Sequence, residues 1–216
     1  MSIGILFDLD GTLLDTMDDL WAATNYTLKQ HGCPARTKEE IRRFVGNGAR
    51  ELIRLALPGN DNDPDVDEVL ATYQAHYRVV CDQGAARPYD GILQALEQVR
   101  EEFPVAVVSN KPDAAVKKLC LGFFGDVYAL GETDDCPRKP APDMVFKAMK
   151  ELGVDTCIYV GDSEVDVATA KNAGVPCLSV VWGFRDEEDL RNAGGTHFCS
   201  DPKQMPDILR KMAKEC

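Results

Sequence analysis

The sequence predicts an α/β protein: a parallel β-sheet flanked by helices, with a small α-helical domain inserted into the chain. Three observations lead to this prediction. Apolar runs of about five residues alternate with helical patterns along most of the chain, as in parallel strands buried on both faces. Residues 15–83 break the alternation, because they contain helical patterns without a convincing strand. Polar residues end three of the apolar runs, and parallel sheets bind ligands at the carboxyl ends of their strands.

Five apolar runs are interpreted as the core strands, since each is short and is followed closely by Gly, Asp or Ser. They span residues 3–7, 105–108, 127–130, 157–160 and 176–181. Helices are predicted between and after them, over residues 92–102, 114–121, 143–152, 165–173 and 206–214.

The stretch after the first strand is predicted to be a small inserted helical domain. Its helices are expected over residues 17–30, 38–45, 49–56 and 66–81, with a turn at residues 61–64. The chain leaves the core near residue 15 and returns near residues 87–91. The predicted domains are therefore a core of residues 1–15 and 87–216 and an inserted helical domain of residues 16–86.

Composition limits the possible partners. The chain has 216 residues and is 44% hydrophobic, which is enough for one core with a small accessory domain. Acidic residues outnumber basic ones 36 to 24, the net charge is -12, and no run is rich in Lys or Arg. This argues against a nucleic-acid partner. An anionic substrate would need a bound cation and local basic groups to attract it, since the overall field opposes it.

The eight cysteines contain no Cys-x-x-Cys pair, so a structural zinc site is disfavoured. Met1 leads directly into the apolar run 3–7, with no basic segment or cleavage site, and no apolar run approaches the length of a membrane span. We therefore expect a cytoplasmic protein with reduced thiols and no membrane partner. No pattern decides between a monomer and a homodimer.

Carboxylates follow two of the predicted strands. Asp8 and Asp10 come after the first strand, and their spacing of two sends both side chains to the same edge. Such close carboxylates repel unless a cation compensates them. Asp162 and Asp166 follow the strand at residues 157–160. Hard carboxylate oxygens without a nearby His suit Mg²⁺, which also leaves room for a phosphate oxygen.

Three further residues can supply hydrogen-bond donors to a phosphoryl group, namely Ser109, Asn110 and Lys139. Each feature has a structural alternative. An Asp-x-Asp pair is often a solvated turn, residues 109–112 could be a turn with a helix N-cap, and Lys139 could be a surface charge. Because all of these features fall at predicted strand ends, one shared site is favoured.

Four segments in order resemble the motifs of the haloacid dehalogenase superfamily. Residues 8–16 read DLDGTLLDT and are similar to its first signature. Ser109-Asn110 resembles the second motif, Lys139-Pro140 the third, and residues 161–166, GDSEVD, the fourth. The resemblance covers the whole chain. It implies a Rossmann-like core with a helical cap after the first strand, in agreement with the patterning.

The resemblance also implies roles. Asp8 would attack phosphorus and form an aspartyl-phosphate. Asp10 would protonate the leaving oxygen and then activate water. Asp8, the backbone carbonyl of Asp10, and Asp162 would hold Mg²⁺. Asp166 would ligate it through water or orient its surroundings and Lys139.

The same resemblance gives Ser109 a hydrogen bond to the phosphate, Asn110 a supporting role, and Lys139 the task of offsetting charge on the nucleophile and the phosphoryl group. The founding dehalogenases lack the second aspartate of the first motif. The presence of Asp10 therefore favours phosphate chemistry over dehalogenation.

Within the superfamily, the chain is similar to phosphoglycolate phosphatases. Residues 44–50, FVGNGAR, resemble their cap loop, where Asn47, Gly48 and Arg50 could receive the substrate carboxylate. An ordinary turn before a helix is the alternative for this segment. Residues 181–195 resemble a core loop of that branch.

The resulting hypothesis is a Mg²⁺-dependent phosphatase for a small anionic phosphate monoester, with 2-phosphoglycolate as the first candidate. A sugar phosphomutase and a pyrophosphatase of the same superfamily are alternatives, because such sequences grade into one another. A catalytically idle module that binds a phosphometabolite is the alternative from another class. It is disfavoured, since every catalytic position is intact.

Overall fold

The computed structural model describes residues 2–59 and 64–216, without the side chains of residues 82 and 83. Most of the turn predicted at residues 61–64 lies outside the described residues. The chain forms two compact units, the first of Met1–Asp15 with Arg87–Cys216 and the second of Thr16–Ala86. Each unit is described by itself.

The first unit contains the strands. They are β1 (Ile3–Phe7), β2 (Leu14–Asp15), β3 (Arg87–Pro88), β4 (Val105–Pro112), β5 (Tyr128–Glu132), β6 (Thr156–Gly161), β7 (Cys177–Val180) and β8 (His197–Cys199). Six of them form one sheet in the order β5-β4-β1-β6-β7-β8, and all neighbouring pairs are parallel. Strands β2 and β3 form a separate antiparallel pair.

Ten α-helices lie in the described residues. Four belong to the second unit, namely α1 (Met17–Gln30), α2 (Lys38–Phe44), α3 (Gly48–Ala56) and α4 (Val66–Gln83). Six belong to the first unit, namely α5 (Ile92–Glu102), α6 (Asp113–Phe124), α7 (Asp143–Leu152), α8 (Glu164–Ala173), α9 (Glu187–Asn192) and α10 (Met205–Ala213). No described helix is both long and apolar enough to cross a membrane.

The sheet of the first unit brings three strand ends together. Strand β1 pairs with β4 on one side and with β6 on the other, so that Phe7 lies opposite both Val107 and Val160. From β1 the chain builds outward through β4 and β5, then crosses back and builds through β6, β7 and β8. The strand order therefore reverses next to β1, which is where open parallel sheets form a ligand crevice. The α/β class predicted from the sequence is confirmed.

Buried apolar residues hold this arrangement. Leu6 of β1, Val108 of β4 and Tyr159 of β6 are in one core cluster, together with Met144 and Val145 of α7. Side chains alternate between the two faces of the sheet along a strand, so the burial of Leu6 also determines the face of each residue that follows in β1. The core thus sets the position of the residues that follow the strands.

Four elements of the first unit were not predicted, namely the short strands β2 and β3, helix α9 and strand β8. Helix α9 lies within residues 181–195, where the family resemblance implied a core loop, and β8 follows it. Helix α9 has six residues, and β8 has three, of which Cys199 is the buried one. Neither element is long enough to produce a readable apolar period. Strand β4 also extends to Pro112, beyond the predicted end at residue 108.

The second unit is helical throughout the residues described, as predicted. Its core includes Leu20, Leu28, Ile53 and Val69. Asp19, a buried residue of α1, accepts hydrogen bonds from two backbone N–H groups near the end of the unit, at Ala85 (2.7 Å) and Ala86 (3.0 Å). This carboxylate therefore ties the beginning of the unit to its end.

Candidate active site

Asp8 follows β1 directly, and its backbone N–H donates to the carbonyl oxygen of Val160 at 2.8 Å. The residue is only 8% exposed. Its Oδ1 accepts hydrogen bonds from the Leu9 N–H at 2.7 Å and from Nζ of Lys139 at 2.9 Å. Within residues 2–59 and 64–216, no group donates a hydrogen bond to its Oδ2. One carboxylate oxygen is held in place, while the other keeps its lone pairs for chemistry.

Lys139 is fully engaged at the centre of the cluster. Besides Asp8, its Nζ donates to Oδ1 of Asp166 at 2.8 Å and to the hydroxyl of Tyr159 at 3.0 Å. The Tyr159 hydroxyl donates in turn to the carbonyl oxygen of Val108 at 3.1 Å. A lysine ammonium has three N–H donors, and each has its own acceptor here. Lys139 is therefore fixed as a buried positive charge beside Asp8.

Asp162 and Asp166 complete an acidic cluster at the end of β6. Asp8, Asp162 and Asp166 each offer one carboxylate oxygen, and these oxygens lie within 4.8 Å of one another. Asp166 uses both of its oxygens, since Oδ2 accepts from the backbone N–H of Ser163 at 3.0 Å and from its hydroxyl at 2.6 Å. Asp166 is thus part of a capping box that starts α8.

Two loops, one after β1 and one after β7, donate hydrogen bonds to Asp162. Its Oδ1 accepts from the hydroxyl of Thr12 at 2.9 Å, and its Oδ2 accepts from the N–H of Phe184 at 2.7 Å. Gly11 lies against the same carboxylate, with φ +86°, and an added Cβ would be 2.7 Å from Oδ1 and closer still to Oδ2. Trp182 donates through Nε1 to the carbonyl oxygen of Thr12 at 3.0 Å.

Asp10 lies outside the acidic trio and has its own cation. Its Oδ1 accepts from Nζ of Lys111 at 2.7 Å. The three acids that lie together are Asp8, Asp162 and Asp166, so a metal ligand from Asp10 would be its backbone carbonyl, as the family resemblance implies.

Ser109 and Asn110 lie near the end of β4. The hydroxyl of Ser109 accepts from the N–H of Lys111 at 3.3 Å, which leaves the hydroxyl hydrogen for another acceptor. The amide of Asn110 makes two bonds with the backbone of Lys139: Nδ2 donates to its carbonyl oxygen at 2.9 Å, and Oδ1 accepts from its N–H at 2.8 Å. Asn110 thereby fixes the loop that carries Lys139.

Burial and charge together perturb the titration of this cluster. Burial raises the pKa of Asp8 to about 7, with Lys139 opposing the rise and Asp166 adding to it. Burial and the charges of Asp166 and Asp8 raise the pKa of Asp162 well above its usual range. Burial alone would lower the pKa of Lys139, but the carboxylates of Asp166 and Asp8 outweigh it and raise that pKa further.

These carboxylates fit a metal ion. Asp8 and Asp162 have raised pKa values, which means that their charged forms lack sufficient positive compensation. The site holds four carboxylates, those of the trio and of Asp10, against the two ammonium groups of Lys139 and Lys111. One divalent cation would balance this excess, and an all-oxygen donor set suits a hard ion.

The predicted cap residues lie in the second unit. Asn47 precedes α3, and Gly48 is its first residue, with φ +80°. Arg50 pairs with Asp67 of α4, with NH2 2.9 Å from Oδ1, and half of its side chain is exposed. The part of these residues in binding stays a prediction.

Lys111, which contacts Asp10, and Tyr159, which contacts Lys139, were not among the predicted site residues. Each had a signal. Lys111 directly follows Ser109-Asn110 at the end of a predicted strand, and Tyr159 is the one residue with a polar tip in an otherwise apolar run. Neither signal gives the direction of the side chain.

Comparison with known proteins agrees with this geometry. A phosphoglycolate phosphatase of Rhodobacter capsulatus is 34% identical over 194 residues, which cover 86% of this chain and 87% of that protein. An N-acetylmuramic acid 6-phosphate phosphatase of Pseudomonas aeruginosa is 31% identical and covers 98% of this chain and 96% of its own length. A solved structure from Lactobacillus delbrueckii subsp. bulgaricus is 34% identical, with TM-score 0.85, over 95% of this chain and 97% of that one.

The model of the haloacid dehalogenase-like hydrolase family matches residues 5–180. This range contains Asp8, Asp10, Ser109, Lys139 and Asp162, the residues on which the predicted motifs depend. The chain therefore belongs to the haloacid dehalogenase-like hydrolase family and to the phosphoglycolate phosphatase-like branch of its phosphatases.

Proposed function

We propose that this enzyme hydrolyses small anionic phosphate monoesters with Mg²⁺, through a phosphorylated Asp8. The observation that carries the proposal is the unequal environment of the two Asp8 oxygens. Lys139 and the Leu9 N–H hold Oδ1, while Oδ2 accepts no hydrogen bond from the described part of the chain. An oriented carboxylate with one oxygen open is what nucleophilic attack on phosphorus requires.

In the first step, Oδ2 of Asp8 attacks phosphorus. A bond forms between this oxygen and phosphorus, and the bond from phosphorus to the ester oxygen breaks. Asp10 gives its proton to the departing ester oxygen, so that an alcohol leaves. Lys139 keeps a positive charge beside the attacking group, and its charge also opposes the negative charge brought by the phosphoryl group.

In the second step, Asp10 is a carboxylate and takes a proton from a water molecule. The oxygen of that water attacks phosphorus, and the bond to Asp8 breaks. Inorganic phosphate leaves, Asp8 is again a carboxylate and Asp10 again carries the proton. One residue thus serves as acid and then as base.

Asp8, Asp162 and the backbone carbonyl of Asp10 would hold the metal ion. Bound Mg²⁺ supplies charge neutralisation for the phosphoryl oxygens. Asp166 has both oxygens engaged by Lys139 and Ser163, so its task is to orient Lys139 and the start of α8. Any contact from Asp166 to the ion would run through water.

Two residues of β4 would share the binding of the phosphate. The hydroxyl hydrogen of Ser109 donates to a phosphoryl oxygen. Asn110 acts through the backbone of Lys139, which it holds with two hydrogen bonds. Removal of the Asn110 amide would therefore loosen Lys139.

Substrate choice is proposed to depend on residues 44–50 of the second unit. The N–H groups around Asn47 and Gly48 and the guanidinium of Arg50 would receive a carboxylate of the substrate. We propose 2-phosphoglycolate as the first candidate, in line with the Rhodobacter relative. A sugar-acid phosphate is the second, because the Pseudomonas relative that acts on N-acetylmuramic acid 6-phosphate matches nearly the whole chain.

The remaining alternatives within the superfamily are a sugar phosphomutase and a pyrophosphatase. We further propose that the enzyme works in the cytoplasm, as a monomer or homodimer, on a small-molecule ester and without nucleic acid or membrane as partner. A substrate panel separates the activities, since a mutase gives an isomerised sugar phosphate and a pyrophosphatase gives phosphate from pyrophosphate.

The test compares Asp8→Asn with Asp90→Asn, the same chemical change at an exposed position of the same unit. The panel contains 2-phosphoglycolate, N-acetylmuramic acid 6-phosphate, pyrophosphate and hexose phosphates, assayed as kcat/KM with Mg²⁺ and with chelator. We expect Asp8→Asn to abolish turnover of every substrate and Asp90→Asn to retain it. Turnover by folded Asp8→Asn would refute the mechanism.

A further inference from the structure

Asp10 is held by a buried ion pair that the mechanism above does not use. Nζ of Lys111 lies 2.7 Å from its Oδ1, and the side chains are only 3% (Lys111) and 14% (Asp10) exposed. A charge-assisted bond shielded from water is stronger and better oriented than a surface ion pair. In the described part of the chain, no group donates a hydrogen bond to Oδ2 of Asp10. One oxygen is anchored, and the other is available for a proton.

The backbone of Lys111 is itself fixed. The pairing of β4 with β5 is regular to Val108 and shifts in register before Pro112, so Lys111 lies in the irregular stretch. Such bulges re-aim side chains and are common beside active sites. Gly131 of β5 approaches closely, because an added Cβ there would be 2.6 Å from the carbonyl oxygen of Lys111. The N–H of Gly131 also donates to Oδ1 of Asp113 at 3.0 Å, which fixes the chain two residues after Lys111.

The two buried lysines divide the carboxylates between them. Lys139 has an acceptor for each of its three donors, and none of those acceptors is Asp10. Within the described residues, Lys111 is the cation that pairs with Asp10. Lys139 thus serves the nucleophile, while Lys111 serves the residue that handles the proton.

We propose that Lys111 is a positioning residue that fixes Asp10 for proton transfer to the leaving oxygen. The inference rests on the proposed phosphatase mechanism. With Oδ1 held by Lys111, Asp10 presents Oδ2 to the ester oxygen, and the proton passes from Oδ2 as the bond to phosphorus breaks. Without this anchor the carboxyl group rotates among several orientations, and a smaller fraction of encounters has the geometry for transfer.

The test compares Lys111→Met with Lys117→Met. Lys117 pairs with Asp113 at 2.7 Å, but its side chain is 60% exposed, so this control changes the charge equally without touching Asp10. Each variant is assayed with p-nitrophenyl phosphate, whose phenolate leaves without a proton, and with the alkyl phosphate that the wild type turns over fastest. Asp10 also serves the second step, which is the same for both substrates, so the first step is measured alone, as the rate of alcohol or phenolate release in a single turnover with enzyme in excess. We expect Lys111→Met to lose about 100-fold in this release rate on the alkyl ester and less than about threefold on the aryl ester. The control is expected to match the wild type on both.

A merely structural role for Lys111 would lower both activities together, and an equal loss on the two substrates would overturn the proposal. Unchanged activity on both would overturn it as well. If Lys111→Met does not fold, as judged by circular dichroism, Lys111→Leu is measured by the same ratio, because it also removes the N–H donors to Asp10. Selective loss on the alkyl ester supports the proposal, and uniform loss or none contradicts it.

Asp10→Asn separates this inference from the mechanism on which it rests. We expect Asp10→Asn to show the same selective loss in the single-turnover release rate, and Lys111→Met to add less than about twofold to that loss when the two substitutions are combined. Independent, multiplicative losses would overturn the positioning role. If the proposed mechanism itself were wrong, Asp8→Asn would keep turnover. If only this inference were wrong, Asp8→Asn would be inactive while Lys111→Met lacked the selective loss.

Discussion

Replacing Gly11 by alanine is predicted to disrupt the acidic cluster from its backbone side. Gly11 has φ +86°, where an L-residue with a Cβ costs about 1–2 kcal/mol. The added Cβ would also lie 2.7 Å from Oδ1 of Asp162, whereas ordinary contact begins at 3.4 Å. Asp162 must therefore move, and it gives up its bonds from Thr12 and Phe184, each worth about 1–3 kcal/mol when a buried group loses its partner. We expect a total loss of about 3–8 kcal/mol in the free energy of unfolding.

Gly153 provides the matched control. It has φ +66° at the end of α7, and an added Cβ there meets no atom within 4 Å. Gly153→Ala thus carries only the backbone cost of about 1–2 kcal/mol. The difference between the two variants in the free energy of unfolding gives the cost of displacing Asp162, which we expect to be at least about 2 kcal/mol.

Urea unfolding, first with chelator and then with Mg²⁺, measures both effects. Wild type and Gly153→Ala should gain stability from the ion, because a ligand that binds only the folded state stabilises it. Gly11→Ala should gain much less, since Asp162 is displaced. Equal destabilisation of the two variants together with equal gain from Mg²⁺ would refute the proposed link between Gly11, Asp162 and the metal.

Three other predictions concern single groups. Tyr159→Phe leaves Lys139 short of one acceptor, so we expect the free energy of unfolding, measured in urea, to fall by about 2–4 kcal/mol. The control Tyr26→Phe, at an exposed position, should lower it by less than about 0.5 kcal/mol. Burial raises the pKa of Asp8 from 3.8 to about 7, so without metal the free energy of unfolding should fall as the pH rises between these values. The affinity for Mg²⁺, measured by calorimetry, should fall up to tenfold for each pH unit below about pH 7, because the ion must displace the proton of Asp8. Arg50→Ala should raise KM for 2-phosphoglycolate and leave p-nitrophenyl phosphate within about twofold; equal KM changes would contradict carboxylate binding by Arg50.

The strand ends were predictable because they depend on period and topology. Asp8 and Asp162 each follow an apolar run of the right length, and parallel strands bring such residues to one edge. Ser109 was found by the same reasoning. Local patterns do not determine the order of the strands in a sheet, so only the structure shows that β4, β1 and β6 are neighbours.

The contacts of Tyr159 and Lys111 could not be predicted, for two physical reasons. Periodicity gives the burial of Tyr159, but not that its hydroxyl lies between Lys139 and the carbonyl of Val108. Lys111 lies where β4 and β5 change register, and the predicted strand ended before it. In both cases the contact joins residues far apart in sequence, which local patterns do not encode.

Capture of the phosphorylated enzyme tests the central claim about Asp8 most directly. An aspartyl-phosphate is reduced by borohydride to homoserine, and mass spectrometry locates the change. We predict homoserine at position 8 when the enzyme is quenched during turnover with Mg²⁺, and none without substrate or in Asp8→Asn. Rapid phosphate release with unmodified aspartate at position 8, or with the modification at another carboxylate, would contradict the account.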